Sequence, residues 1–263
     1  MGVLNVTPDS FSDGGRYLDR DAAIARGLEI VAEGADIVDV GGESTRPGAE
    51  PVDEAEELRR VLPVVEALAG RTRVSIDTMK PAVAEAAVAW GAWLVNDVAC
   101  GLRDVAAATG AALVVMHMRG TPQDMQSHTC YDDVVAEVHA FLALRAAEAR
   151  EVGVREVFVD PGIGFAKTGE HNIALLAALP ELVADGVPVL VGTSRKRFLG
   201  TLGRPPGAEP LPVDDRREAS LATAVWAMAA GVRIVRVHDV RPAVQAARLI
   251  GASFGTSAIE VAS

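Results

Sequence analysis

The sequence predicts an α/β protein, a single-domain (β/α)8 barrel of the TIM type over residues 1–263, and three observations carry that expectation. Short segments rich in Val and Ile alternate with segments of helical periodicity, at a spacing of roughly 25 to 40 residues, until eight pairs are complete. Most of the strand-like segments stop on a polar residue or open into a glycine-rich polar loop. Ala, Val and Leu dominate a hydrophobic share of 49% while aromatics supply only 4%, a mixture suited to helices packed on β-branched strands. A doubly wound open sheet is the alternative. Against it, no GxGxxG follows the first strand, and nothing marks a reversal of strand order.

The elements follow in order. Gly2 to Val6 reads as a short strand, and Thr7 to Gly15 as a polar loop with one aromatic, Phe11. Apolar positions Ile24, Leu28 and Val31 predict a helix over Asp21 to Glu33, stopped by Gly34. A strand from Ala35 to Val40 runs into the glycine-rich loop Gly41 to Gly48. The cycle repeats with a helix over Val52 to Leu68, a strand over Val74 to Asp77, a helix over Pro81 to Trp90 and a strand over Trp93 to Asp97. A short helix over Asp104 to Ala108, a strand over Leu113 to Met116 and a long helix over Tyr131 to Glu151 come next. The last three pairs are a strand over Val157 to Asp160 with a helix over Asn172 to Leu182, a strand over Val189 to Gly192 with a helix over Arg217 to Ala230, and a strand over Arg233 to Val237 with a helix over Arg241 to Leu249. Gly203 to Pro212, rich in Pro and Gly, reads as a surface loop.

The stretch Val157 to Lys167 is the most telling. Its first four residues suit a strand buried on both faces, and the run stops on the carboxylate of Asp160. Pro161 cannot donate to a sheet, and Gly162 and Gly164 allow backbone angles closed to other residues, so the chain must open into a loop there. Taken alone, Asp160 is equally well explained by an Asx bond to its own turn. In a barrel, however, all parallel strands end on one face, which gathers Asn5, Thr45, Asp77, Asn96, Asp160, Lys196, Arg236 and His238 around one mouth. Asp77, Asn96 and Asp160 come from adjoining middle strands, and the acids would face a donor-rich heterocycle. Lys196, Arg236 and His238 come from the last two strands and, with Arg46, would face a phosphate.

Composition narrows the partners. With 25 basic against 36 acidic residues the net charge is −11, which disfavours nucleic acid or an anionic membrane as a general partner. Cys100 and Cys130 cannot build a disulfide framework and read as packing or surface residues. With no signal peptide and no long apolar run, the chain reads as cytoplasmic. His117, His128, His139 and His171 lack the spacing of a zinc site.

The runs GVLNVTPDSFSDGG (Gly2 to Gly15), DVGGESTRPG (Asp39 to Gly48), SIDT (Ser75 to Thr78), NDV (Asn96 to Val98), MHMRGTPQDMQ (Met116 to Gln126), DPGIGFAK (Asp160 to Lys167), SRK (Ser194 to Lys196) and RVHDV (Arg236 to Val240) together resemble dihydropteroate synthase over nearly the whole chain. The resemblance implies condensation of 6-hydroxymethyl-7,8-dihydropterin diphosphate with p-aminobenzoate in folate biosynthesis, with Mg2+ as cofactor, sulfonamides as competitors and a homodimer as the assembly. It further implies that Asp77, Asn96, Met116, Asp160 and Lys196 hold the pterin, and that Arg236, His238 and Thr45 meet the diphosphate, with Asn5 on the metal. Phe11, Arg46, Pro47, Phe165 and Ser194 would then form the p-aminobenzoate pocket and its loops, and Asp77, Lys196, Arg236 and His238 would carry the catalysis. Two alternatives stand beside it. A related pterin-binding methyltransferase barrel would share the Asp and Asn contacts but would not need the cationic groups around Ser194 to Lys196 and Arg236 to His238. A degenerate paralogue would bind pterin without turnover.

Overall fold

The computed structural model describes residues 1–7, 16–45 and 48–254. Eight parallel strands appear in chain order: β1 Gly2–Asn5, β2 Ile37–Gly41, β3 Arg73–Asp77, β4 Leu94–Asp97, β5 Ala112–Met116, β6 Val157–Asp160, β7 Leu190–Val191 and β8 Ile234–Val235. β1 to β6 form one sheet and β7 pairs with β8. The two parts join at both edges. Val159 N–H donates to Pro188 O at 3.0 Å beside a parallel bridge from Val159 to Val189. On the other side Val3 N–H donates to Val237 O and Val237 N–H to Met1 O, each at 3.0 Å, so β8 meets β1 and the barrel closes. Closure removes the exposed edges an open sheet would leave.

Between the strands run helices α1 Arg16–Ala32, α2 Glu54–Ala69, α3 Pro81–Ala89, α4 Arg103–Thr109, α5 Val134–Glu151, α6 Gly169–Ala177, α7 Leu179–Ala184, α8 Arg197–Leu202, α9 Arg217–Ala229 and α10 Val240–Phe254. Two departures from expectation have local causes. The helix expected over Asn172 to Leu182 is two, because Pro180 has no N–H to carry the hydrogen-bond ladder on from α6. The loop after β7 contains the unexpected α8, a run of six residues too short to declare a helical period. At Gly200 within it a side chain would meet Leu211 O at 2.7 Å, so only glycine lets the following loop lie so close.

The period-2 alternation of the strands divides the core in two. Outward residues such as Val38, Val40, Ile76, Val95, Leu113 and Val159 pack against the helices. Inward residues Met1, Ile37, Leu94, Ala112, Val114, Phe158, Leu190 and Ile234 fill the lower barrel as a separate cluster, with Trp93 edge-on to Phe158 at 6.0 Å. That plug is the floor on which everything above it rests. No helix among the described residues is long and apolar enough to cross a membrane. Replacing the fully buried Leu94 by Ala would leave a cavity in the plug. Chemical denaturation is expected to show a loss of about 2–5 kcal/mol, and a loss below about 1 kcal/mol would mean that the plug does not carry the barrel.

Candidate active site

Above the plug, the same inward alternation turns polar. Sheet register places Asn5 beside Gly41, Gly41 beside Asp77 and Asp77 beside Asn96, and further round places Met116 beside Asp160. One step lower on the same face sit Asp39 and Ser75, paired in register. Arg236 lies two residues above the plug residue Ile234 and so points inward from the closing strand. Its Nε donates to Asp39 Oδ2 at 2.6 Å and its Nη2 to Asp77 Oδ2 at 2.8 Å. Asn96 Nδ2 donates to the same Asp39 oxygen at 3.1 Å. The convergence expected of Asp77, Asn96 and Arg236 is therefore direct, and Asp39, a site residue that sequence reasoning missed, is its hub.

Several acceptors in this layer have no partner among the described residues. Asp39 Oδ1, Asp77 Oδ1 and Ser75 Oγ are buried and unbonded. A buried carboxylate oxygen left so costs free energy unless a ligand or water supplies a donor. Burial pushes the Asp77 carboxyl well above the ordinary carboxylate range; Arg236 pulls it back and nearby Asp39 adds to the rise. Arg236 loses by burial but gains more from Asp39 and Asp77, so its guanidinium is held charged more firmly than usual.

The second cluster is built on the loops after β6 and β7. Gly162 N–H donates to Asp160 Oδ1 at 2.7 Å, so the Asx turn is real and engages one oxygen of the carboxylate. Burial raises the Asp160 carboxyl, opposed by Lys196, the Gly162 amide and Lys167. Lys196 donates to Ile163 O and stands 4.5 Å above the Phe165 ring, a cation on an aromatic face. Burial lowers its pKa to about 8, with Asp160 acting against the fall. Ser194 accepts from His238 N–H at 3.1 Å and bonds to His238 Nδ1 at 3.0 Å, so it orients the imidazole at the end of β8. Arg195 grips Asp239 through Nε and Nη2 at 3.3 and 3.0 Å, tying the loop after β7 to the loop after β8.

Thr45 is partly exposed in the loop after β2. Phe11, Arg46 and Pro47 lie outside the described residues. Asp97, next to Asn96, takes no part: its carboxylate accepts from Ala99 N–H at 3.0 Å and Leu102 N–H at 2.7 Å and braces the loop after β4. Cys100 is partly buried and Cys130 exposed, both free thiols, and burial raises Cys100 to about 12, far from a reactive thiolate. Asp39→Asn removes one of the two carboxylates on a buried guanidinium. A stability loss of about 3 kcal/mol is expected in urea unfolding at neutral pH, and an unchanged midpoint would contradict the hub assignment.

Comparison with known proteins identifies the family. Residues 1–238 match the model of a family described as pterin binding enzyme. The dihydropteroate synthase of Mycobacterium leprae is 52% identical over 261 residues, covering 96% of this chain and 92% of that protein. Among solved structures, Xanthomonas albilineans dihydropteroate synthase with 4-aminobenzoic acid superposes with a TM-score of 0.88 at 46% identity, covering 97% of this chain and 92% of the other. The same enzyme in complex with 7,8-dihydropteroate gives 0.84 at 43% identity, covering 97% of this chain and 92% of the other. With a matching family model over most of its length and a relative half identical to it, the chain belongs to the pterin-binding enzyme family, among the dihydropteroate synthases.

Proposed function

We propose that the polar layer above the plug seats the pterin ring of 6-hydroxymethyl-7,8-dihydropterin diphosphate, and that the cationic side of the mouth holds the diphosphate while p-aminobenzoate approaches from the loops. The single observation that carries this reading is the set of unbonded buried acceptors, Asp39 Oδ1 and Asp77 Oδ1, beside Asn96 and across from Asp160. A pterin offers an amino group and ring N–H donors in one plane, the complement such acceptors lack. Met116, aligned with Asp160, would cover the ring's face, and Lys196 would meet it from the opposite side.

The reaction breaks the bond from the exocyclic methylene to the diphosphate oxygen, forms a bond from that methylene to the aniline nitrogen, and releases pyrophosphate and a proton. The aniline is a free base at neutral pH, so no strong general base is required. The work left to the protein is electrostatic. Arg236 and His238, the latter oriented by Ser194, stabilise the departing anion, and Asp77 and Asp160 stabilise the cation that develops on the pterin. Phe165 and the loops that carry Phe11, Arg46, Pro47 and Thr45 would line the p-aminobenzoate slot and keep out water, the competing nucleophile.

Mg2+ fits this chemistry as a substrate-borne ion. It keeps waters and phosphate oxygens and needs only one or two protein oxygens. No cluster of three or more His, Cys, Asp or Glu able to hold a metal unaided occurs among the described residues, whereas Asn5 offers an amide oxygen on the rim beside Gly41. Held by Asn5 and the diphosphate, the ion would neutralise charge on the leaving group. A homodimer is consistent with exposed Trp226 on α9 and Leu249 on α10, two helices that pack on each other.

Two measurements test the reading. Asp160→Asn should weaken pterin diphosphate binding about 10-fold or more, the cost of a charge-assisted acceptor, with the circular dichroism spectrum unchanged; calorimetric titration giving wild-type affinity would overturn it. Pyrophosphate release should require both substrates, which separates a synthase from a pterin-binding protein without turnover. Its kcat/KM should fall above pH about 8, because Lys196 is an ammonium below that value and neutral above it. A flat profile up to pH 10 would remove Lys196 from the substrate.

A further inference from the structure

Lys167 closes the glycine loop after β6, and nothing in the reaction above uses it. It is only 4% exposed, yet among the described residues its ammonium makes no hydrogen bond or ion pair with a carboxylate. Its Nζ lies 2.9 Å from His117 Nδ1 and donates to Phe165 O at 3.0 Å and His117 O at 3.3 Å. A buried cation held by two carbonyls and a ring nitrogen is costly, and most proteins bury lysine only against an acid. The surroundings explain where its field goes. His117 directly follows Met116, and its N–H donates to Asp160 O at 3.0 Å. Gly162, whose N–H binds the Asp160 carboxylate, lies against the ammonium: a side chain built at Gly162 would come within 1.9 Å of His117 O and 3.3 Å of Lys167 Nζ. There is thus no room for a side chain at Gly162, and the ammonium packs against the turn that holds Asp160.

We propose that Lys167 is a positioning residue for pterin binding: it staples the loop after β6 to the end of β5, so that the Gly162 amide stays on the Asp160 carboxylate, and it adds its charge to that of Lys196 beside that acceptor. This rests on the reading of Asp160 as the pterin's acceptor. The other ionisable groups around the ammonium are few. Burial lowers the Lys167 pKa to about 7, so the charge is full on the acid side where Asp160 takes up its proton; Asp160 attracts it, and Lys196 from the loop after β7 and Arg119 from the loop after β5 repel it. His117, held against Phe141 at 4.9 Å, is kept neutral by burial and by Lys167, its pKa lowered to about 3, so its ring can accept the ammonium proton. Tyr131 donates to Ala166 O at 3.0 Å and stacks edge-on with His171, while Glu137 is occupied by Arg119. Among the described residues, Asp160 is therefore the carboxylate of this group left to feel the charge.

The test is the pH dependence of affinity for 6-hydroxymethylpterin, a probe without diphosphate, measured by calorimetry on the full chain. Wild-type affinity should fall on the acid side as Asp160 takes up a proton. Lys167→Gln keeps donors for the two carbonyls but removes the charge, and should move that acid limb upward by about one pH unit or more, the effect of losing a nearby opposite charge. Lys167→Arg should restore it toward the wild-type position. A limb unmoved in a folded Lys167→Gln protein overturns the proposal, because a merely structural staple would lower affinity equally at all pH values. Should the variants not fold, carbon NMR of the wild type decides: the Asp160 carboxyl and the Lys167 Cε should each carry an inflection from the other's titration, and single independent inflections would overturn the coupling. Failure of the underlying reading looks different, since the wild type itself would then show no acid limb and Asp160→Asn would bind the probe normally.

Discussion

The guanidinium of Arg236, bridging Asp39 and Asp77, is the interaction on which the rest of the site depends. It spans 197 and 159 residues of sequence and crosses the seam where the last strand meets the first. Without a cation there, three acids, Asp39, Asp77 and Asp160, would share a buried mouth and could not all ionise. Without the acids, an arginine would be buried beside an apolar plug. Each side makes the other tolerable, and the pair also reports that the barrel is closed in register. Its geometry is incomplete in one respect: each carboxylate gives one oxygen to the arginine and keeps another buried and unbonded. A layer satisfied within itself would have no affinity to offer, and the proposed ligand would draw binding energy from these remaining acceptors.

Strain is concentrated in the same neighbourhood. Cys100, Ala166 and Arg195 are the described residues other than glycine with positive φ, at 56°, 50° and 61°. Cys100 is on the loop after β4, four residues beyond Asn96, and its thiol donates to Met116 O at 3.1 Å. Ala166 sits between Phe165 and Lys167, and Arg195 between Ser194 and Lys196. Such conformations persist only where surrounding bonds over-determine them. Here the bonds are visible: Tyr131 on the carbonyl of Ala166, Ser220 Oγ accepting from Arg195 N–H at 2.9 Å, and Arg216 donating to Arg195 O at 3.1 Å. The scaffold thus holds the loops of the mouth in shapes they would not adopt alone.

Much of this was legible in the residues. Eight strand-helix pairs and the polar strand ends follow from local pattern, because a barrel turns the period of a strand into a shared interior; the expected division of acids from cations does not hold for Arg236, which pairs with Asp39 and Asp77. What failed to show did so for physical reasons. Asp39 is a lone acid between Val38 and Val40, and its burial could have signalled a partner, but no local rule points to Arg236. Pro180 inside an expected helix was a readable break. The short α8 was not, since six residues complete fewer than two turns. Ser194 also holds His238, a pairing across two loops that only the folded chain brings about.

The central claim is that one ligand plane lies on the apolar plug, ringed by Asp77, Asn96 and Asp160. A crystal structure of the protein soaked with a pterin tests it most directly. The account predicts the ring in that layer, its amino group and ring nitrogens within about 3 Å of those side chains and Arg236 still bridging Asp39 and Asp77. A pterin bound elsewhere on the molecule, or a ring in the mouth turned with its donors away from Asp77 and Asp160, would contradict it.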